Sequence, residues 1–339
     1  MIKNWGKVEL LSGLEPLLVE EFSVSISKLE AEIDFDFKVL NDPKNMIPLD
    51  MGVKLLEDCA SYTGCDYLGL KLVNKQSNET LGLLGYVGEY ADQFDVAIDH
   101  LFNNMSLNVT GVNWQLIKDS GYAEMVFNLD VDKSISYKQS IFLGMGQLYN
   151  YCKYITLNKW SPNRVYFTFP APTNIRQLKQ HFGPHLYFNM DFNGFVFPEE
   201  QLTLPIGNAN QRMNDILNDY LKLTGKGSNI DKLSQIKLSI RSLLILQQSC
   251  SLAEIAASQN KTPRAIQYYL EKFQLTYQEL LDEVRYQLAC DLLSDSEQSI
   301  SSIAALIGFA DSTVFSRSFK KHKGITPSKF RRQTQLSSQ

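Results

Sequence analysis

The chain has 339 residues, a net charge of −4 and an apolar fraction of 44%, enough for two ordinary domains and a sizeable core. No apolar run approaches the roughly 20 residues that a bilayer-spanning helix needs. The segment from Met1 to Leu11 has neither the apolar centre nor the small-residue cleavage site of a secretory signal, so the reading is a cytoplasmic protein without a membrane partner. Cys59, Cys65, Cys152, Cys250 and Cys290 are odd in number and scattered, which argues against a disulfide framework.

In chain order, Leu14 to Ser27, Met51 to Tyr62 and Leu81 to Phe102 carry helical spacing, the last opening with Gly82 and Gly85. Strand signals follow: β-branched and aromatic runs bounded by Pro, Asn and Gly at Tyr122–Asp130, Val165–Phe169, Leu186–Met190 and Phe195–Phe197. Tyr137 to Tyr154 returns to helical spacing. Residues 1–223 therefore read as an α+β domain with helices first and a sheet later. Leu223 to Ile230 holds two glycines with Ser and Asn, the composition of a joint, and places a flexible linker at 224–230. Residues 231–339 read as all-α.

The charge is unevenly spread. Residues 231–339 hold 14 Lys and Arg against 10 Asp and Glu, while the rest of the chain holds 19 against 27. A basic tail behind an acidic body suits an anionic partner.

That tail is internally duplicated. Ser251 to Ala257 aligns with Ser299 to Ala305 at an offset of 48; Ile266 and Leu270 align with Phe315 and Phe319 at 49; Leu275, Thr276 and Leu280 align with Ile325, Thr326 and Phe330 at 50. Each copy reads as helix, turn, helix. Ser251 and Glu254 form a capping box, Asn260 to Thr262 break the first helix, and Thr262 with Pro263 open the second. In the other copy Gly308 closes the short helix and Asp311 or Ser312 caps the next. Thr276 and Glu279 form another box, starting a helix to about Leu293 with Leu280, Leu281, Val284, Leu288 and Leu292 as its apolar stripe. Such a strut spans roughly 27 Å, close to the ~34 Å between successive major grooves on one face of DNA.

Ile303, Ala304, Gly308, Phe309, Asp311, Phe315, Arg317, Phe319, Lys320, Gly324, Ile325, Thr326, Pro327 and Arg331 fall in a spacing that resembles the AraC/XylS family of bacterial transcription regulators. Thr262 to Gln267 and Leu280 to Arg285 resemble it too, and the likeness covers about residues 235–333. A second resemblance covers much of 15–205, on Trp160, Pro162, Val165, Phe167, Pro170, Pro172, Phe182, Gly183, Pro184 and Phe188. It is to the effector-sensing domain of a branch that shares the "arabinose-binding" name but places strands after helices, unlike a cupin barrel.

The resemblance implies that the second helix of each unit enters a major groove. Its base-facing positions are Arg264, Gln267 and Tyr268 in the first unit, and Ser312, Thr313, Ser316 and Arg317 in the second. The chemistry agrees, since Arg can pair with guanine and Gln with adenine at two points, and hydroxyls reach base or phosphate. Lys261, Lys272, Lys320, Lys321, Lys323, Arg331 and Arg332 are candidates for phosphate contacts, which orient without specifying. Tyr268 and Tyr269 stand where relatives usually carry basic residues, and Gln274 where they usually carry Gly, so the second unit is expected to carry more of the affinity. The implied partners are promoter DNA, a small-molecule effector, RNA polymerase if the protein activates, and a second copy of the chain.

No catalytic constellation emerges, and the chain does not read as an enzyme. His100, His181, His185 and His322 are dispersed, and the segment between His181 and His185 reads as a turn around Pro184, so neither metal nor cofactor is expected. Gly82 to Gly85 lacks the spacing and the Lys of a phosphate loop. Tyr149, Tyr151, Tyr154, Phe167 and Phe188 are candidate pocket residues, apolar with hydroxyl handles, set against the plainer reading of core aromatics. Two alternatives remain at this level: a DNA-binding regulator controlled by protein partners, and, more remotely, an enzyme fused to a DNA-binding module.

Overall fold

The computed structural model describes residues 4–43, 45–132, 134–210, 213–218, 232–245, 249–258, 261–295 and 298–337. The expected joint at 224–230 lies outside the described residues, as does Asn260. The chain divides into two compact units, Met1–Asn214 and Asp215–Gln339.

In the first unit, β1 (Trp5–Lys7) leads to α1 (Leu14–Phe22) and α2 (Ile26–Ile33); β2 (Met46–Pro48) then precedes α3 (Leu49–Thr63), α4 (Leu68–Val73), α5 (Leu83–Glu89) and α6 (Phe94–Asn103). The helix expected over Leu14 to Ser27 stops early because Ser23 adopts a left-handed φ of 54° and donates its N–H to the Val19 carbonyl. The one expected over Leu81 to Phe102 is two helices. Between them the backbone is taken by the chain that follows the main sheet: Phe94 N–H donates to Leu204 O (2.9 Å) and Ile206 N–H to Asp92 O (3.4 Å).

Then come β3 (Val112–Asp119), β4 (Tyr122–Leu129), α7 (Lys138–Ile155), β5 (Arg164–Tyr166), α8 (Arg176–Phe182), β6 (Leu186–Tyr187) and β7 (Asn193–Pro198). The five longer-range strands form one sheet in the order β3-β4-β7-β5-β6, antiparallel except for the β5–β6 pair, while β1 and β2 pair separately. β3 was not foreseen. It joins β4 through Ser120 and Gly121, both with positive φ (50° and 84°), the two-residue turn whose twist matches a hairpin. β5 and β6 are shorter than expected because Asn189, at φ 56°, turns the chain so that Met190 N–H reaches back to Phe167 O (3.0 Å). β7 lies at the sheet's centre and is buried along Asn193–Phe197. Any Cβ at Gly194 would stand 2.1 Å from the Met125 carbonyl oxygen, so glycine is required for β7 to approach β4.

Helix α7 runs against α3 and α4. Gln139, buried at its start, accepts from Gly69 N–H (3.0 Å) and donates to Asp66 O (3.1 Å), satisfying the N-terminal turn of α4. The helices α1 to α4 share one apolar cluster built on Leu14, Leu17, Leu18, Leu29, Leu56 and Leu68.

The second unit contains α9 (Lys232–Ile245), α10 (Leu252–Ser258), α11 (Pro263–Glu271), α12 (Tyr277–Asp295), α13 (Ile300–Leu306), α14 (Ser312–Lys323) and α15 (Pro327–Ser337). The five residues of the expected α12 stripe are all buried, and so are Ala289, Cys290 and Leu293. This helix is covered on several sides because α9, α13 and α15 all pack on it. Arg241 of α9 pairs with the buried Asp291, and Lys237 with Glu283 (2.7 Å). All five cysteines are free.

Candidate nucleic-acid interface

Matching caps set the two copies. Ser251 N–H donates to Glu254 Oε2 (2.9 Å) while Glu254 N–H donates back to Ser251 Oγ (3.3 Å), a reciprocal box that satisfies two otherwise unpaired donors. In the other copy Ser299 Oγ accepts from Ser302 N–H (3.0 Å). Thr262 Oγ1 accepts from Ala265 N–H (3.3 Å) at the start of α11, with Pro263 in the first helical position. At the start of α14 the cap is Asp311, whose carboxylate accepts from Thr313 and Val314 N–H and is held below the usual carboxylate range by those bonds. Of the two residues offered as caps, it is Asp311 that serves.

Each second helix buries one face and leaves the other open. Ile266 and Leu270 hold α11, and Phe315 and Phe319 hold α14; all four are fully buried. Phe319 meets Phe315 and Phe330 edge-on at 5.6 and 5.7 Å. On the outer faces Arg264, Gln267, Tyr268, Thr313 and Arg317 are exposed, and Ser312 and Ser316 are half-buried. α14 ends in Lys320, Lys321, His322 and Lys323 before Gly324 at φ 78°, cations placed where the helix dipole favours them.

The turns after α11 and α14 each pass through the left-handed region at aligned positions. Gln274 lies at φ 56° and Gly324, fifty positions on, at φ 78°. The position where the second copy uses glycine is filled by an L-residue in the first. Thr276 then accepts from Glu279 N–H (3.2 Å) and Thr326 from Lys329 N–H (3.4 Å), each opening the next helix.

The outer surfaces of the copies differ. In the first, the Lys272 ammonium sits 5.3 Å over the Tyr268 ring and Lys232 sits 4.5 Å over Tyr269, which also packs on Phe273 (5.3 Å). Lys261, Lys272, Lys320, Lys321, Lys323 and Arg332 are exposed. Arg331 is half-buried and donates through Nη2 to Gln298 O (2.6 Å), tying α15 to the segment before α13; its guanidinium is thus committed inside the domain. His322 stacks on Tyr286 of α12 at 4.2 Å, and the Tyr286 and Ser318 hydroxyls are bonded to one another.

The Arabinose-binding domain of AraC transcription regulator, N-term, matches residues 24–206 of this chain, and a Helix-turn-helix domain matches residues 255–333. The chain belongs to the AraC family of transcription regulators. It is similar along its length to an ornithine utilization regulator of Pseudomonas aeruginosa, with 25% identity over 319 residues and 93% of each chain covered. Shorter similarities, over 85 residues and a quarter of this chain, are to the transcriptional activator AggR of Escherichia coli (38% identical) and the virulence regulon transcriptional activator VirF of Shigella flexneri (33% identical); each spans 32% of the relative. The chain is thus a DNA-binding transcription regulator with an AraC-type helix-turn-helix domain behind an α+β domain.

In this AraC-family chain the five candidate pocket aromatics of the N-terminal domain differ in burial and partners. Tyr151 is fully buried, and its hydroxyl donates to Gly85 O (2.9 Å). Phe167 is fully buried among Phe142, Phe182 and Phe188, at 5.6, 5.9 and 5.2 Å. Tyr149 is half-buried against Trp160 (5.7 Å) and His181 (5.2 Å), whereas Tyr154 is exposed and donates to Glu89 Oε1 (2.8 Å). His181 lies near the end of α8, the helix stopping at Phe182 before Gly183 and Pro184, and burial lowers its pKa to about 4. Among the described residues no three His, Cys, Asp or Glu side chains gather as a metal site, and no helix is long and apolar enough to cross a membrane.

A different set of residues lines an apolar pocket in this domain. This apolar pocket, with about 840 Å³ of space counted together with the solvent at its open side, is lined by residues including Lys7, Leu56, Val112, Trp114, Phe127 and Leu148. No sequence signal pointed to these residues as a group. They come from many elements spread over some 140 positions and have in common only that they are mostly apolar.

Proposed function

We propose that this AraC-family protein is an effector-responsive, sequence-specific regulator that reads two adjacent major grooves of promoter DNA with α11 and α14, working in the cytoplasm as a dimer. The carrying observation is the pair of capped helix-turn-helix copies, each with a buried apolar face and an outer face rich in hydrogen-bonding groups. α12, at 19 residues, spans about 28 Å, which suits a strut between grooves ~34 Å apart. Arg264, Gln267 and Tyr268, with Ser312, Thr313, Ser316 and Arg317, would meet base edges. Lys261, Lys272, Lys320, Lys321, Lys323 and Arg332 would meet phosphates, and Arg331 would brace the domain through Gln298. Where the protein activates, RNA polymerase is its further partner.

The exposed Arg317, close to the cationic end of α14, supports a larger share of affinity for the second unit, because two Lys beside Tyr268 and Tyr269 already lie over aromatic rings. The test is binding of Arg317→Ala and Arg264→Ala to the cognate promoter at one salt concentration. A good Arg–guanine pair is worth about 1–3 kcal/mol, so Arg317→Ala should weaken binding by roughly tenfold or more. A larger loss from Arg264→Ala would reverse the assignment. Effector response is tested separately by thermal shift across a metabolite panel that includes ornithine, named for the Pseudomonas relative.

A further inference from the structure

We propose that α11 and α14 read different bases at their equivalent position: Tyr268 of α11 packs its ring on a thymine 5-methyl group where Arg317 of α14 pairs with a guanine. This rests on the groove reading proposed above and names the base chemistry of the first half-site.

The internal duplication puts the two helices in one frame. Thr262 and Asp311 cap α11 and α14, and Ile266 and Leu270 hold the first helix where Phe315 and Phe319 hold the second. All three pairs are 49 residues apart. Helices seated by the same cap and the same buried pair turn the same positions outward. Arg264, Gln267, Tyr268 and Glu271 therefore coincide with Thr313, Ser316, Arg317 and Lys320. Tyr268 and Arg317 each stand six positions after the cap, and both are exposed.

The side chains at that shared position suit different groove edges. A guanidinium donates at two points to guanine O6 and N7, while thymine presents an acceptor oxygen beside its methyl group. A phenol has a single hydroxyl and cannot form the fork; what it offers instead is an apolar ring. Tyr268 is 65% exposed, so that ring stands in water until something covers it. Lys272, four residues on, holds its ammonium 5.3 Å from the ring centroid, an attraction that favours one ring position at the helix surface. An aromatic side chain ordered in this way loses little rotamer freedom on docking.

The neighbouring positions point the same way. Gln267, in the place of Ser316, can pair with adenine at two points. Glu271, exposed in the place of Lys320, removes a cation from the phosphate contacts. The first half-site is thus read through A·T chemistry, and the second through guanine and charge.

The full-length protein is used to select binders from a random duplex library at one salt concentration, and affinities are measured on the selected duplex. Wild type should enrich two half-sites, one holding thymine at the step where the other holds guanine. Replacing that thymine by deoxyuridine removes only the methyl group and should weaken wild type about fourfold, the worth of one buried methyl-sized group. Tyr268→Ala should bind both duplexes alike, and Tyr268→Phe should keep the full difference. Tyr268→Arg should reverse the preference at that step to guanine, by about tenfold. The ratio between duplexes is compared, because an added arginine also strengthens binding to every sequence. An unchanged thermal midpoint confirms that these substitutions at an exposed position leave the fold intact.

Equal wild-type affinity for the thymine and deoxyuridine duplexes, the same loss in Tyr268→Ala, or an unchanged selection by Tyr268→Arg would each overturn the proposal. So would loss of the difference in Tyr268→Phe, which would assign the contact to the hydroxyl. Two enriched half-sites without the thymine step would overturn it while leaving the paired groove reading intact. A single enriched half-site would overturn the paired reading and this inference with it.

Discussion

Exchanging the residues at the two matched turns gives effects of opposite sign. Gln274 and Gly324 both occupy the left-handed region, at φ 56° and 78°. An L-residue there costs roughly 1–2 kcal/mol through the clash of its Cβ with the following carbonyl. Glycine removes that strain but gives back about 0.4–1 kcal/mol through the greater freedom of the unfolded chain. Gln274→Gly should therefore stabilise the second unit by about 0.5–1 kcal/mol, the Gln274 side chain being exposed. Gly324→Ala should destabilise it by a similar amount, and for conformational reasons alone, because a Cβ at Gly324 meets nothing within 4 Å. The assay is native-state hydrogen exchange of the α12 and α14 amides, where 1 kcal/mol appears as a roughly fivefold change in protection. Equal and same-signed effects, or no effect at either site, would refute the equivalence of the two turns.

Phe319→Ala removes a fully buried ring wedged between Phe315 and Phe330 and should cost about 3–5 kcal/mol, read as lost helical signal of the second unit in urea titration. Tyr151→Phe leaves the Gly85 carbonyl without its buried donor and should cost about 1–3 kcal/mol, read as a lower urea midpoint of the first unit. His181 is kept neutral by burial, its pKa lowered from 6.5 to about 4 despite a hydrogen bond to the Gly146 backbone that works in the opposite direction. The unfolded chain therefore takes up that proton first as the pH falls. The contribution is complete above pH 6.5 and disappears progressively down to about pH 4, a loss of about 3 kcal/mol. His181→Gln should flatten the stability profile within that window; an unchanged slope would show that His181 is protonated in the folded state.

The second unit was largely legible in the sequence because its signals are local. Caps such as Ser251 with Glu254 and Thr276 with Glu279 bond within four residues, and the apolar positions of α11, α12 and α14 repeat at helical spacing. The first unit was legible only in class. Strand β3 carries an alternating signal at Val112, Trp114 and Leu116 that its polar neighbours dilute. The breaks at Ser23 and at Tyr90 to Gln93 depend on pairing or backbone geometry that single-sequence periodicity does not carry, as with the bond from Phe94 to Leu204. Aromatics near a sheet carry the same signal whether they line a pocket or fill the core, and Tyr151 and Phe167 are fully buried. The apolar pocket is lined by Trp114 and Phe127 together with Leu, Val and Gly residues of distant elements, a grouping that no local pattern in the sequence carries.

Hydroxyl-radical footprinting of the protein on its own upstream region tests the central reading most directly. Two α-helices held by one strut and reading adjacent grooves should protect two short patches about one helical turn, or 10–10.5 base pairs, apart on the same face of the DNA, with Arg317→Ala opening the patch under α14 first. A single protected patch, or two patches on opposite faces, would contradict the paired reading of the grooves.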